Sequence, residues 1–466
     1  PVAAIEGTGS SEGSVTGFGS VFVNGVEYST DRADIVIDGM SASESVLQVG
    51  MVVNVAGDIA ADGKQGSAQR VEFDRPLFGP IDAIDRAARV VTMLGQSVRL
   101  DDATLFGDGV EDSLQEGQLC LVSGYPAANG ELLASLLRCG DDYVAGQTVV
   151  EVEGLVSNLD SGAGRFRLGE FEVNIGTAVL DVSRGALANG ALVEIIGRQP
   201  QRNGSLNAER IRVKTVTLQP GQAVLLEGVI SRFAGLNDFE LGRQRIDAAA
   251  AQRDDAHTLA PARDVRMRLQ GVVRADDVIT AARYALQPAT DILLTGRVDG
   301  VDSARERLAL FGADHQAVVV TQYEDTRVNG SRRFRLQDLQ AGDYVQLRGF
   351  RDAQDRTVVT RIERRTEEEP TSGTVVARFR VGVGTVDPLL AKVRGPLDRH
   401  DLSQNTLVIA GVTVQTDAAR TEFFGRDGAS VTAIQFYNGL RPGDRLEAEG
   451  NEASDVLEAT RVRYAR

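Results

Sequence analysis

The chain has 466 residues, 50 of them Lys or Arg and 66 Asp or Glu, for a net charge of −16. That balance argues against phosphate-backbone binding, which needs a basic surface, so no nucleic-acid partner is expected. No apolar run is long enough for a transmembrane segment, and an absence of Trp with only eight Tyr does not supply the aromatic girdles of a membrane barrel.

At roughly 150 residues per domain, length alone suggests about three domains. Internal repeats change that number. Residues 1–12 lead into a Gly/Ser-rich stretch and read as a tail or connector strand, packed along the first domain or docked on a neighbouring subunit. Further on, one pattern recurs: Gly, two residues, apolar, any, apolar, any, Gly. It runs Gly50-Val53-Val55-Gly57, Gly117-Cys120-Val122-Gly124, Gly190-Val193-Ile195-Gly197, Gly342-Val345-Leu347-Gly349 and Gly443-Leu446-Ala448-Gly450. A degenerate copy, Asp264-Met267-Leu269-Gly271, has Asp in place of the first Gly. Leu47, Leu114, Leu187, Leu339 and Leu440 precede the clean copies by three residues and would plug the floor of a barrel.

Alternating apolar residues between two glycines give a strand with one buried face. The first Gly suits a turn with positive φ, and the second ends or bulges the strand. Each copy has an opening Gly-x-apolar strand upstream, a second glycine resembling a hairpin turn, and a final strand downstream. Five short strands in about 70 residues, without a convincing amphipathic helix, close most naturally into a small barrel. The expected fold class is all-β, a tandem array of about six five-stranded OB-like or translation-factor-like β-barrels. They fall at 13–75, 76–147, 148–221, 222–289 (degenerate), 290–366 and 392–466, with an inserted hairpin or linker at 367–391.

Gly17-Phe18-Gly19-Ser20-Val21-Phe22-Val23-Asn24-Gly25-Val26 with Leu47-Gln48-Val49-Gly50-Met51-Val52-Val53, and Gly79-Pro80-Ile81 with Leu94-Gly95-Gln96-Ser97-Val98, carry a family resemblance. They resemble an uncharacterised family of bacterial repeat domains. The resemblance implies tandem small β-barrels in exported, often lipid-anchored, cell-envelope proteins. It implies no catalytic residues.

Candidate sites are few. Cys120 and Cys139 lie on two segments that read as an antiparallel hairpin; they are either a disulfide, implying an oxidising compartment, or two buried thiols. Asp101, Asp102, Asp108 and Asp112 form the best calcium candidate, although they lack the spacing of a known calcium loop, and solvated turns are the default. His257, His315 and His400 occur singly in different units and read as solvated loop side chains, and no nucleotide-binding fingerprint is present. Neither a cofactor nor a resident metal is expected. Val2 and Ile5 in the tail, and Val375, Phe379 and Val381 in the insertion, are candidate assembly residues, the latter by adding a strand to another chain.

Residues 1–223 carry a net charge of −14, whereas 224–366 carry +1, a polarity that favours contact between copies. The expected function is therefore non-enzymatic. It is a secreted, extracellular or surface-located bacterial structural protein, a multi-barrel rod assembling head-to-tail into a filament or scaffold. Six barrels in line would reach about 170 Å. The alternative is a monomeric envelope module that binds a glycan or small ligand.

Overall fold

The computed structural model describes residues 7–17, 20–60, 63–106, 111–183, 185–199, 204–214, 218–255, 259–305, 307–316, 321–324, 336–351, 356–365, 391–453 and 455–465. The chain folds into six small five-stranded β-barrels in tandem. Barrel 6 illustrates the plan. Its strands are Ala391–Asp401, Thr406–Ile409, Val412–Gln415, Arg445–Ala453 and Val456–Tyr464. They pair in the order 1-2-3-5-4-1, antiparallel except for the third and fifth, which run parallel at Val414–Leu457. A short strand, Glu422–Phe424, extends the sheet beside the fifth.

The repeated glycines have separate tasks. The first takes positive φ, from 84° to 93° in the five clean copies, and Asp264 adopts 66° in the degenerate one. The second lies at a register shift in all six barrels, between strands four and five. A side chain there would collide with a carbonyl oxygen of the opposite strand, such as that of Glu458 facing Gly450. The strand therefore bulges and continues past the glycine. Leu47, Leu114, Leu339 and Leu440 are buried, and Leu187 is half-buried. Leu339 and Leu440 belong to the core of their unit, as a barrel plug would.

The expectation of no helix is corrected in barrel 6. Ala433–Gly439 forms a helix whose Thr432 and Gln435 make a reciprocal capping box. Phe436 and Tyr437 bury its inner face against Phe423. With only two apolar anchors on seven residues, the helix carries little periodic signal. Short 3-10 turns at Glu44–Val46, Glu111–Ser113 and Leu336–Asp338 occupy the corresponding place in barrels 1, 2 and 5.

Two compact units divide the chain at Ala289/Thr290. The first contains barrels 1 to 4. Its opening strands are Gly7–Gly17, Leu77–Asp85, Val150–Asp160 and Ala223–Gly235. The second contains barrels 5 and 6, opening with Ile292–Asp302 and Ala391–Asp401. Residues 7–12, read in sequence as part of a tail, are the first half of the barrel 1 opening strand. Residues 1–6 and the 366–390 segment lie outside the described residues.

Candidate functional site

Every opening strand is long and has two halves. In barrel 6, Pro396 and the residues before it pair with the fourth strand, and Leu397 to Asp401 pair with the second. One edge of the first half is therefore left to another barrel. Lys392, Val393 and Arg394 pair with Thr295, Leu294 and Leu293 of barrel 5. Barrel 3 meets barrel 2 in the same way, through Glu151–Phe78 and Val152–Leu77. Barrel 1 pairs with barrel 4, and in parallel, from Gly9–Ala223 to Glu12–Leu226. The four barrels of the first unit thus do not follow one another in a line. Barrel 1 skips two neighbours to reach barrel 4, which corrects the expected in-line order for that unit. Barrels 2 and 3 share one apolar core, as do barrels 5 and 6.

These junctions place charge in buried positions, because residues beside the pairing strands face another barrel instead of water. Arg75, in the link between barrels 1 and 2, donates from its backbone N–H and its Nε to the two carboxylate oxygens of Asp38, at 2.9 and 2.6 Å. Its guanidinium also lies 3.1 Å from Glu151 of barrel 3. Glu151 is 2% exposed and its Oε1 has no hydrogen-bond partner. Burial, reinforced by Asp38, Glu194 and Asp74 and opposed by Arg75, pushes its pKa up to about 8. Lys214 bridges Asp74 at 2.9 Å and Glu153 at 2.8 Å, and Arg243 of barrel 4 reaches the other Glu153 oxygen at 2.8 Å. Burial opposes ionisation of Glu153, yet Lys214 and Arg243 outweigh it and lower its pKa. Glu12 of barrel 1 goes the other way: burial and the nearby Glu153 raise it.

A second junction centres on Tyr125 of barrel 2. Its hydroxyl accepts the Ser14 N–H at 2.9 Å, and the Arg266 guanidinium of barrel 4 lies 5.1 Å from its ring centre. Val229 of barrel 4 packs beside it with Ala127 and Leu133. Nearby, Ser135 donates to the Gly50 carbonyl at 2.6 Å. A side chain at Gly50 would press on Leu105, Leu136 and the Ser135 carbonyl oxygen, whereas open space surrounds the equivalent Gly190, Gly342 and Gly443. Leu105 and Leu136 are register partners in barrel 2; barrel 6 has Glu422 and Arg461 at the matching pair, 3.4 Å apart. The apolar pair therefore sits where barrel 1 covers it.

In the second unit, Glu447 is 3% exposed and meets Arg463 at 2.6 Å, Lys392 at 3.6 Å and Arg394 at 3.7 Å. Burial opposes its ionisation, but these three cations lower its pKa. Glu447 occupies the same motif position as Glu194, between the two alternating apolar residues. Glu194 pairs with Arg212 there.

The proposed calcium residues do not converge on a described cage. Asp101 accepts from the amides of Ala103 and Thr104, and buried Asp102 pairs with Arg89 at 2.8 Å. Asp108 and the Asp112 side chain lie outside the described residues, as do Val2, Ile5, Val375, Phe379 and Val381. No group of three or more metal-ligating side chains occurs among the described residues. Cys120 and Cys139 face each other on antiparallel strands and form a disulfide. His400 is exposed, whereas His257 lies outside the described residues.

His315 corrects the expectation of a solvated loop: it is 2% exposed on the strand Ala313–Gln316. Its position two residues after Ala313 in an alternating strand is the signal that composition alone missed. The junction carboxylates were also missed: Glu151 and Glu153 stand on the opening strand Val150–Asp160, and their partners Arg75 and Arg243 come from outside their own repeat.

Residues 12–72, 78–137, 295–363 and 394–463 match the family described as Domain of unknown function (DUF5666). The chain belongs to the DUF5666 family. The four DUF5666 matches are barrels 1, 2, 5 and 6, so barrels 3 and 4 share the architecture without a match of their own. Among curated proteins, none matches this DUF5666 chain.

Proposed function

We propose that this DUF5666 protein is a non-enzymatic structural protein of the bacterial cell surface or extracellular space, whose OB-like barrels are building blocks of a self-associating scaffold. The observation that carries this reading is the use of opening-strand edges to join barrels, at Lys392–Arg394 with Leu293–Thr295 and at Gly9–Glu12 with Ala223–Leu226. Backbone pairing of this kind transfers readily between chains, because it depends on edge geometry more than on side-chain identity. The buried carboxylates support the same reading. Glu153 is held by Lys214 of its own barrel and by Arg243 of barrel 4, an arrangement suited to holding barrels together. The Cys120–Cys139 disulfide suits an oxidising exterior.

Sedimentation velocity over a concentration series tests the reading. Growth of large species with concentration is the expected result. A single monomeric boundary throughout favours the solitary glycan- or ligand-binding module instead.

A further inference from the structure

The opening strand of barrel 1 differs from the other five. At core-facing positions the others bury large apolar side chains, such as Val150 and Val152 in barrel 3, Val224 and Leu226 in barrel 4, or Ile292 and Leu294 in barrel 5. In Gly7–Gly17 the buried Ser11 stands where these strands carry Val152, Leu226 and Leu294, while Gly13 and Val15 match the glycine and apolar residue of every opening strand, and Val15 is the only buried hydrophobic residue described. The strand is nevertheless paired on both sides. It runs antiparallel to Val52–Ile59 from Gly7–Ile59 to Ser14–Val52, and parallel to Ala223–Gly235 over four residues. Backbone hydrogen bonds, rather than apolar anchoring, dominate its attachment.

The slot beneath it is correspondingly polar. Asn24, 7% exposed, donates from Nδ2 to Ser11 Oγ at 3.1 Å, to the Glu12 carbonyl at 2.8 Å and to the Leu225 carbonyl at 3.2 Å. Its Oδ1 is buried without a partner, and a side chain at Gly13 would run into it. The slot thus accepts a serine and a glycine at these two positions, and the same strand from another copy satisfies every one of these contacts. This is the condition for strand exchange: the two arrangements have the same contacts and differ only at the hinge.

We propose that the Gly7–Gly17 strand is exchanged between copies, entering the slot between Val52–Ile59 and Ala223–Gly235 of a second molecule. The proposal deepens the self-association reading and rests on it; the partner is a second copy of this chain. Ser10 and Ala56 are register partners, with Ala56 exposed on the outer face. Full-length chains carrying S10C alone and A56C alone are co-expressed and oxidised, with S10C plus S403C as the control pair. The expected result is a covalent heterodimer linked between positions 10 and 56, absent from the control. No such link between chains overturns the proposal.

The double variant S10C/A56C provides a second readout, since closing that bond within one chain locks the strand in place. The locked chain is expected to lose assembly on oxidation and regain it on reduction. Assembly that survives locking overturns strand exchange. Sedimentation of the unaltered chain keeps the two readings apart: assembly without the interchain link removes only strand exchange, while no assembly and no link removes both.

Discussion

At Gly450 the backbone passes so close to the Glu458 carbonyl that any Cβ would collide with it. The bulge at this point lets the fourth strand curve around the barrel, so the missing side chain is a condition of closure. Gly450→Ala is expected to destabilise the second unit by about 2–4 kcal/mol, the range of a strained backbone position combined with a steric clash. Chemical denaturation measures this, and an unchanged midpoint would refute the role of the bulge. His315 offers a different residue-scale test. Burial, with a smaller push from Arg351 and against the pull of the Leu310 carbonyl, drives its pKa from 6.5 down to about 4. The unfolded chain therefore takes up a proton as pH falls through 6.5, whereas the folded chain resists until about 4. Stability from this group is fully present above pH 6.5 and declines towards pH 4, by about 3 kcal/mol in total. His315→Leu should flatten that part of the pH dependence, measured by denaturation between pH 7 and 4. An identical slope in the variant would rule it out.

At the scale of the element, the informative unit is the opening strand with its two neighbours. Its apolar alternation, the hairpin glycines and the bulge were legible in sequence because local backbone geometry demands particular residues at fixed spacing. The pairing of barrel 1 with barrel 4 was not. It runs through backbone edges, which leave little mark on side-chain identity, and the outward-facing residues vary from barrel to barrel: Asn54, Leu121, Glu194, Arg268, Gln346 and Glu447 fill one equivalent motif position. Glu194 and Glu447 are buried and paired with cations of neighbouring strands, Arg212 and Arg463. A single sequence read repeat by repeat treats such a residue as solvent-facing. Glu447→Ala would leave Arg463, Lys392 and Arg394 crowded without their shared counter-charge. Breaking a buried ionic group in this way costs about 3–5 kcal/mol, so a marked fall in the unfolding midpoint of the second unit is expected. If Glu447→Ala melted as the parent does, the stability of the second unit would not depend on this charge.

At the scale of the molecule, barrel number follows from the repeats, but grouping does not. Barrels 5 and 6 share a core that includes Ile292, Leu347, Val393 and Leu446, and they form one compact unit. The first unit contains a core spanning barrels 2 and 3 and another in barrel 4. Separate cores predict separate cooperativity. Calorimetry of the whole chain should resolve at least two transitions, with Gly450→Ala lowering only the one that belongs to barrels 5 and 6. A single transition displaced as a whole by that substitution would contradict this division. The candidate junctions became readable only when strand partners were known, since the carboxylates that hold barrels together come from different repeats.

The central claim is that the barrels serve assembly, and electron microscopy of the purified full-length chain at neutral pH tests it most directly. Regular filaments or extended scaffolds with a repeating subunit are the predicted result. Uniform isolated particles of single-chain size, at every concentration up to the solubility limit, would contradict it.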